Sequence, residues 1–482
     1  MRGIRRGTAF LALGLASVLL CASPALAADA SPFGTIPSAC AKAKGKKKHH
    51  KKRHGHKQGH GAKRAAGKKK HKHRKHKQRP YRSCYAGRFV TEVNPFTFSQ
   101  APMWSPDGKR VVSYKVIDGT QQVITSKLDG SGQVCVTCGQ PGPNQVAQYR
   151  PQGDVILFHS WREKNAFKVG SPGFGGVGSE VYVTNADGSG NPVNLTQKTD
   201  ATSEGDTTGE GEDNYHAYFS PDGRKLSWTH LDCNAVTQNG SCQMEILVAD
   251  YVAKPTPHLA NVKVARPEDG HYYETQLWAP DGSGFLYTES MDNSLNLELF
   301  FYRLSDGKTI RLTRNAAWDE QATFTPDMSK IIFMSTRDHP GLFNDYRALA
   351  DSIGLGADTD FVTVLPVFEL GFLQPVAGES TDLYELDPAS GQVRRLTNSG
   401  DDGWIVPEFS FDPGSRRMLY TEARFPPGTR AQLPVDAARD IQELLTYILT
   451  GKANPALTGN ANVGLDSVAG LERRTIVAHY AG

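Results

Sequence analysis

The chain has 482 residues, 55 Lys and Arg against 50 Asp and Glu, and a formal net charge of +5. That length excludes a mini-domain held only by disulfides, because a chain this long buries a large core; its 48 Gly and 28 Pro lack the triplet period of collagen. The near-balance of charge hides a division: residues 42–79 hold 19 Lys and Arg, eight His and no acid, and the rest after residue 27 carries 33 basic against 50 acidic groups, a net of −17.

Residues 1–27 read as a secretory leader. Arg2, Arg5 and Arg6 form the charged start, Ala9 to Ala22 is apolar but short for a membrane span, and Ala25-Leu26-Ala27 is a small-residue cleavage pattern. No later stretch reads as a transmembrane helix; residues 361–376 come nearest but contain Glu369 and two prolines. The expectation is a secreted, periplasmic or envelope-associated protein. With Cys21 removed, six cysteines remain, an even number that favours disulfides in an oxidising compartment. Spacing favours Cys40–Cys84 around the basic segment, Cys135–Cys138 as a CxxC, and Cys233–Cys242 around a polar loop.

Residues 28–85 form a Lys/His-rich segment that cannot build a core and is expected to be disordered. Residues 42–79 match an anionic envelope polymer or lipid headgroups, with salt-sensitive affinity. Nucleic acid ranks last among polyanions, because the leader directs the chain out of the cytoplasm. The eight His are candidate transition-metal ligands, opposed by the cations around them. A solvated spacer is the bland alternative.

From residue 86 a phrase recurs six times. It reads WSPDGKRVVSY from Trp104, YRPQGDVILFHSW from Tyr149, FSPDGRKLSWTH from Phe219, WAPDGSGFLYTES from Trp278, FTPDMSKIIFMS from Phe324 and FSFDPGSRRMLYTE from Phe409. Each is a strand end, a Pro-Asp-Gly-type turn and an apolar strand. A second phrase, such as EVYVTNADGSGNPVNLT or DLYELDPASGQVRRLT, adds a strand, a tight turn and a strand. One unit is thus a four-stranded antiparallel meander with a period near 45 residues, the signature of a propeller blade. Phe89 to Val93 reads as the outermost strand of the last blade, and Arg474 to Tyr480 as its third strand.

These phrases resemble the WD40-like repeat of the TolB family over residues 86–482. The resemblance implies a six-bladed all-β propeller that serves as a protein-binding platform, with partner peptides approaching its central channel. It departs from that family in having the basic segment where TolB carries a small α/β domain.

In a meander, connections between strands two and three and between blades leave on one face. The longer insertions fall there, and residues 342–353 and 441–448 within two of them keep helical spacing, predicting helical insertions in blades five and six. A protein or peptide partner is expected on this face. Gln100, Gln145, His216, Glu274, Glu320 and Glu408 precede the first strands and form a polar ring around the channel mouth. Glu204, Asp206, Glu210, Glu212 and Asp213 crowd one loop and are weak Ca²⁺ candidates, without EF-hand spacing. No cofactor is otherwise expected. The alternative reading is a glycan or peptide hydrolase or lyase at the channel mouth, drawing on His159, His216, His230 and His271. A serine-peptidase reading lacks a G-x-S-x-G elbow.

Overall fold

The computed structural model describes residues 89–99, 101–160, 162, 179–196, 212–232, 243–269, 271–291, 297–315, 317–339, 380–406, 408–413, 416–424 and 472–480. The chain opens with β1 (Phe89–Val93). Blade one is β2 (Met103–Trp104), β3 (Val111–Ile117), β4 (Thr120–Ser126) and β5 (Val134–Cys135). Blade two is β6 (Asn144–Tyr149), β7 (Val155–Ser160), β8 (Glu180–Asn185) and β9 (Val193–Asn194). Blade three is β10 (Glu212–Phe219), β11 (Lys225–Asp232), β12 (Gln243–Val252) and β13 (His258–Arg266). Blade four is β14 (Tyr273–Trp278), β15 (Gly284–Ser290), β16 (Leu297–Arg303) and β17 (Lys308–Arg311). Blade five is β18 (Asp319–Phe324), β19 (Ile331–Ser335), β20 (Asp382–Leu386) and β21 (Val393–Arg395). Blade six is β22 (Phe409–Phe411), β23 (Arg417–Arg424) and β24 (Glu472–Tyr480).

Six four-stranded sheets result, and β1 completes the sixth in the order β1-β24-β23-β22. β1 runs antiparallel to β24, from Phe89 opposite Tyr480 to Val93 opposite Ile476. Both ends of the described chain therefore meet in one blade and close the ring, as the strand spacing predicts. Closure leaves no long unpaired edge at the seam.

Blades stack face to face, so their middle strands are buried on both sides. All seven residues of β15 and all five of β19 and β20 are buried. The turns after the first strands repeat one chemistry. Ser105 Oγ donates to Asp107 Oδ1 at 2.7 Å, and Ser220 does the same to Asp222 at 2.6 Å. Each aspartate also accepts the N–H two residues on, Lys109 and Arg224, both at 3.1 Å. The Ser105 hydroxyl and the Lys109 N–H hold the Asp107 carboxyl down at about 2. The residue after the aspartate turns left-handed, with φ of +65° at Gly108 and +63° at Gly223.

Cys135 ends β5, and the turn behind it brings Cys138 to a Cα separation of 5.5 Å, within disulfide range. The pairs Cys40–Cys84 and Cys233–Cys242 lie outside the described residues, as do the leader, the basic segment, both predicted helical insertions, Gln100, Glu204, Asp206 and Glu210.

Blade five departs from the repeat, since Met328 stands where the turns of blades one to four have Gly108, Gly153, Gly223 and Gly282, and holds φ at +58°. Met328→Gly should stabilise the chain by about 0.5–1 kcal/mol, glycine's extra unfolded freedom offsetting part of the relief. A higher midpoint in denaturant unfolding checks this; a lower one contradicts it.

Candidate functional site

The first strands of the blades touch around the ring axis: β2 meets β6 and β22, and β14 meets β10 and β18. Their register slips against the second strands at one place, between Gln145 and Gln148, Tyr215 and Tyr218, Thr275 and Trp278, and Glu320 and Thr323. Three of these slips contain a left-handed non-glycine residue: Val146 (φ +42°), His216 (φ +46°) and Gln321 (φ +50°). Such bulges re-aim side chains and carry backbone strain that the surrounding packing must hold.

The bulges gather titratable groups. His216 Nδ1 pairs with the Glu274 carboxylate, and His216 Nε2 lies 3.9 Å from Glu408 Oε1. Blades three and six are opposite in a ring of six, so this approach crosses the axis. Glu274 accepts the Tyr272 hydroxyl at 2.6 Å and the Gln276 amide at 2.9 Å. Glu320 accepts the Trp318 indole N–H at 2.8 Å. The Gln145 amide donates to Gln121 Oε1 of β4. None of Gln145, His216, Glu274, Glu320 and Glu408 is more than 4% exposed. Sequence spacing places these five on an open rim; the structure packs them inside. Register slips lie at or beside Gln145, His216, Glu274 and Glu320, and packing in the ring buries all five.

Burial then sets their protonation. Burial, the Glu274 charge and a hydrogen bond with Glu274 hold Glu320 well above the usual carboxylate range. Burial lifts Glu408 to about 7, with His216 opposing and Glu274 and Glu320 adding to the rise. Burial, then His216, pushes His159 well below the usual imidazole value. The His159 ring lies 6.3 Å from that of His216, and its Nε2 accepts the Ala217 N–H at 3.2 Å. The neutral ring therefore carries its proton on Nδ1.

Chemically, the axis can hold and exchange protons near neutrality. Both oxygens of Glu408 are buried without a hydrogen-bond partner among the described residues, so this group has capacity left for a proton or a cation. The donors that could hold a cation are the carboxylates of Glu408, Glu274 and Glu320 with His216, a set rich in hard oxygen. Of the loop candidates, Glu212 and Asp213 are the first residues of β10. Elsewhere, ligand atoms of His339, Asp382 and Asp401 lie within 4.8 Å of one another. Arg395 bonds Asp382 at 2.5 Å and Asp401 at 2.7 Å, which makes that cluster a salt-bridge hub.

Two predicted histidines do not join the axis. His230 is tied to Asn214 at 3.1 Å, and burial lowers it to about 4. His271 pairs with Glu289 at 3.0 Å. Sequence reasoning missed Tyr272, Trp318, Gln276 and Gln121. The first two left a signal, an aromatic two residues before a glutamate, which shares a strand face with it.

No protein-family model matches this sequence, and no curated protein does. Among solved structures, TolB from Acinetobacter baumannii is similar at 16% identity and a TM-score of 0.40, over 67% of this chain and 63% of that one. The chain thus spans less than two thirds of that relative. A putative TolB from Agrobacterium tumefaciens is similar at 16% identity and a TM-score of 0.36, over 64% of this chain and 88% of that one. An oligogalacturonate lyase in complex with manganese is similar at 10% identity and a TM-score of 0.42, over 83% of this chain and 96% of that one.

Glu408 binds its proton more tightly in the folded chain, at about 7, than an ordinary carboxyl at 4.5. Between these values the folded state holds more protons than the unfolded state, so stability falls as pH rises through that window. Glu408→Gln removes this dependence. From pH 5 to pH 8 the wild type should lose up to about 3 kcal/mol relative to the variant. Denaturant unfolding across pH checks it, and parallel stability curves would contradict it.

Proposed function

We propose that this chain is an exported binding propeller. Residues 1–27 carry it out of the cytoplasm, residues 42–79 contact an anionic envelope polymer or lipid surface, and residues 86–482 form the platform for a protein or peptide partner. The observation that carries this reading is the state of the axis. His216 of blade three is paired with Glu274 of blade four, and Glu274 is hydrogen-bonded to Glu320 of blade five, so buried polar contacts tie adjacent blades into a frame. Recognition then falls to its faces, foremost the face that carries the longer connections. Among the described residues, no helix is long and apolar enough to cross a membrane.

A second reading, a glycan or peptide hydrolase or lyase, is favoured by one specific arrangement. Glu408, titrating at about 7, lies 3.9 Å from His216, and general acid–base work is most efficient with a group near the working pH. It predicts turnover of glycan or peptide substrates that Glu408→Gln abolishes. Under the binding reading, purified protein turns over neither class.

Deleting residues 42–79 tests the first reading. The full chain should bind anionic vesicles with an affinity that falls steeply with salt, since exposed charges are screened over about 8 Å at physiological ionic strength. The deletion should lose that binding and keep the unfolding midpoint of the full chain. Salt-insensitive binding that survives the deletion contradicts this role.

A further inference from the structure

The Cys135–Cys138 disulfide lies on the outermost strand of blade one, where β5 ends and the connection to blade two begins. Its two cysteines differ in access. Cys135 is half-buried, whereas Cys138 is exposed. Gly139 follows with φ at +77°, and no atom stands within 4 Å of the place where a side chain on it would be. The open side of the link is thus the Cys138 side.

The repeat shows that this turn does not need the link. β5, β9, β17 and β21 end at Cys135, Asn194, Arg311 and Arg395. Two residues on, Thr137, Thr196, Thr313 and Thr397 each accept a third-strand N–H on Oγ1, from Val123 at 2.9 Å, Val181 at 3.0 Å, Leu299 at 2.9 Å and Leu383 at 2.9 Å. The residue before each threonine returns its own N–H to the carbonyl of that same third-strand residue, at 2.8, 2.8, 2.8 and 2.7 Å. Blades two, four and five make both bonds without a cysteine beside the threonine. A cross-link stabilises least when the loop it closes is short, and here backbone bonds already hold the loop. Opening the disulfide therefore leaves the turn in place, with the two thiols side by side.

We propose that Cys135–Cys138 is a thiol–disulfide exchange site that accepts two electrons from a dithiol. One thiolate of the dithiol attacks Cys138 Sγ and forms a mixed disulfide. The bond to Cys135 breaks with its electron pair on Cys135 Sγ, which takes up a proton. The second thiolate of the dithiol then attacks the dithiol's own sulfur in the mixed disulfide, and Cys138 leaves as a thiolate that is protonated in turn. The dithiol ends as a disulfide, and Cys135 and Cys138 end as thiols. Exposed disulfides are the exchangeable ones. The next element after Cys138 is the strand β6, so no helix dipole stabilises a thiolate here. The pair thus suits an electron acceptor better than a catalytic oxidant. The site is separate from the axis and does not depend on the binding-platform reading.

Reduction of the full chain by dithiothreitol, followed by alkylation and peptide mapping, tests the site and separates this pair from the other cysteines. The link should open in the folded chain at a rate within about tenfold of its rate in denaturant, because an accessible sulfur needs no unfolding to react. Cys135→Ser should take up glutathione from its disulfide at Cys138 at least about fivefold faster than Cys138→Ser takes it up at Cys135. The double variant Cys135→Ser, Cys138→Ser should fold and unfold cooperatively on heating. If a single variant does not fold, the opening rate of the wild type carries the test. Reduced thioredoxin distinguishes the sources of the dithiol. Opening by thioredoxin as well as by dithiothreitol supports a protein dithiol, and opening by dithiothreitol alone supports a small one. The proposal is overturned if the link opens only in denaturant, if glutathione prefers Cys135, or if the double variant does not fold.

Discussion

A carboxylate inside a closed ring has to find a partner or keep its proton, and the organisation of the axis follows from that constraint. Glu274 takes the first course, held by His216, Tyr272 and Gln276. Glu320 takes the second, with its carboxyl hydrogen-bonded to Glu274 and to the Trp318 indole. Glu408 stands between the two, close enough to His216 to be helped and too deeply buried to ionise readily. These groups come from blades three, four, five and six, so the charge balance of the axis belongs to the assembled ring. Satisfied polar networks rigidify a core and partly satisfied ones are costly; this one is satisfied at Glu274 and open at Glu408, whose oxygens have no hydrogen-bond partner among the described residues.

Closure is the geometric counterpart of that balance. Opposite blades meet only when the ring is complete, and completion depends on β1 reaching β24. The crossing segment is tied down again by the Phe98 N–H, which donates to Thr475 Oγ1 at 2.8 Å. Asn94 adds side-chain donations to the Phe96 and Leu128 carbonyls at 2.7 and 2.8 Å. A cavity of about 390 Å³ lies beside this segment, between Phe98, Ile124 and Arg473, so the joint that completes the fold also makes one of its concave surfaces.

Most of the fold was legible in the sequence because its signals are local. A Pro-Asp-Gly turn between apolar strands needs only neighbouring residues to declare itself, and six copies at blade spacing imply a ring. Even the closing strand could be placed, since Phe89 to Val93 stands before Trp104 as the fourth strands stand before later blades. The axis was legible only in part. Gln145, Glu274 and Glu320 stand four residues before the aromatic that ends their strand, and His216 and Glu408 stand three before it. On a regular strand those positions face opposite sides. The register slips and left-handed residues let both positions reach the axis, and bulges have no sequence mark as plain as a turn. Burial was missed for a related reason. A glutamate before a strand reads as solvated unless the blade that covers it is known, and that contact joins residues far apart in the chain.

The central claim is that blades three and six meet across the axis through His216 and Glu408. A double-mutant cycle measures this directly, with denaturant unfolding at pH 7 of the wild type, His216→Gln, Glu408→Gln and the double variant. A coupling of about 0.5–3 kcal/mol between the two changes is the predicted result, as found for residues in contact. Changes that add to within about 0.3–0.5 kcal/mol, as for distant and independent sites, would contradict the account.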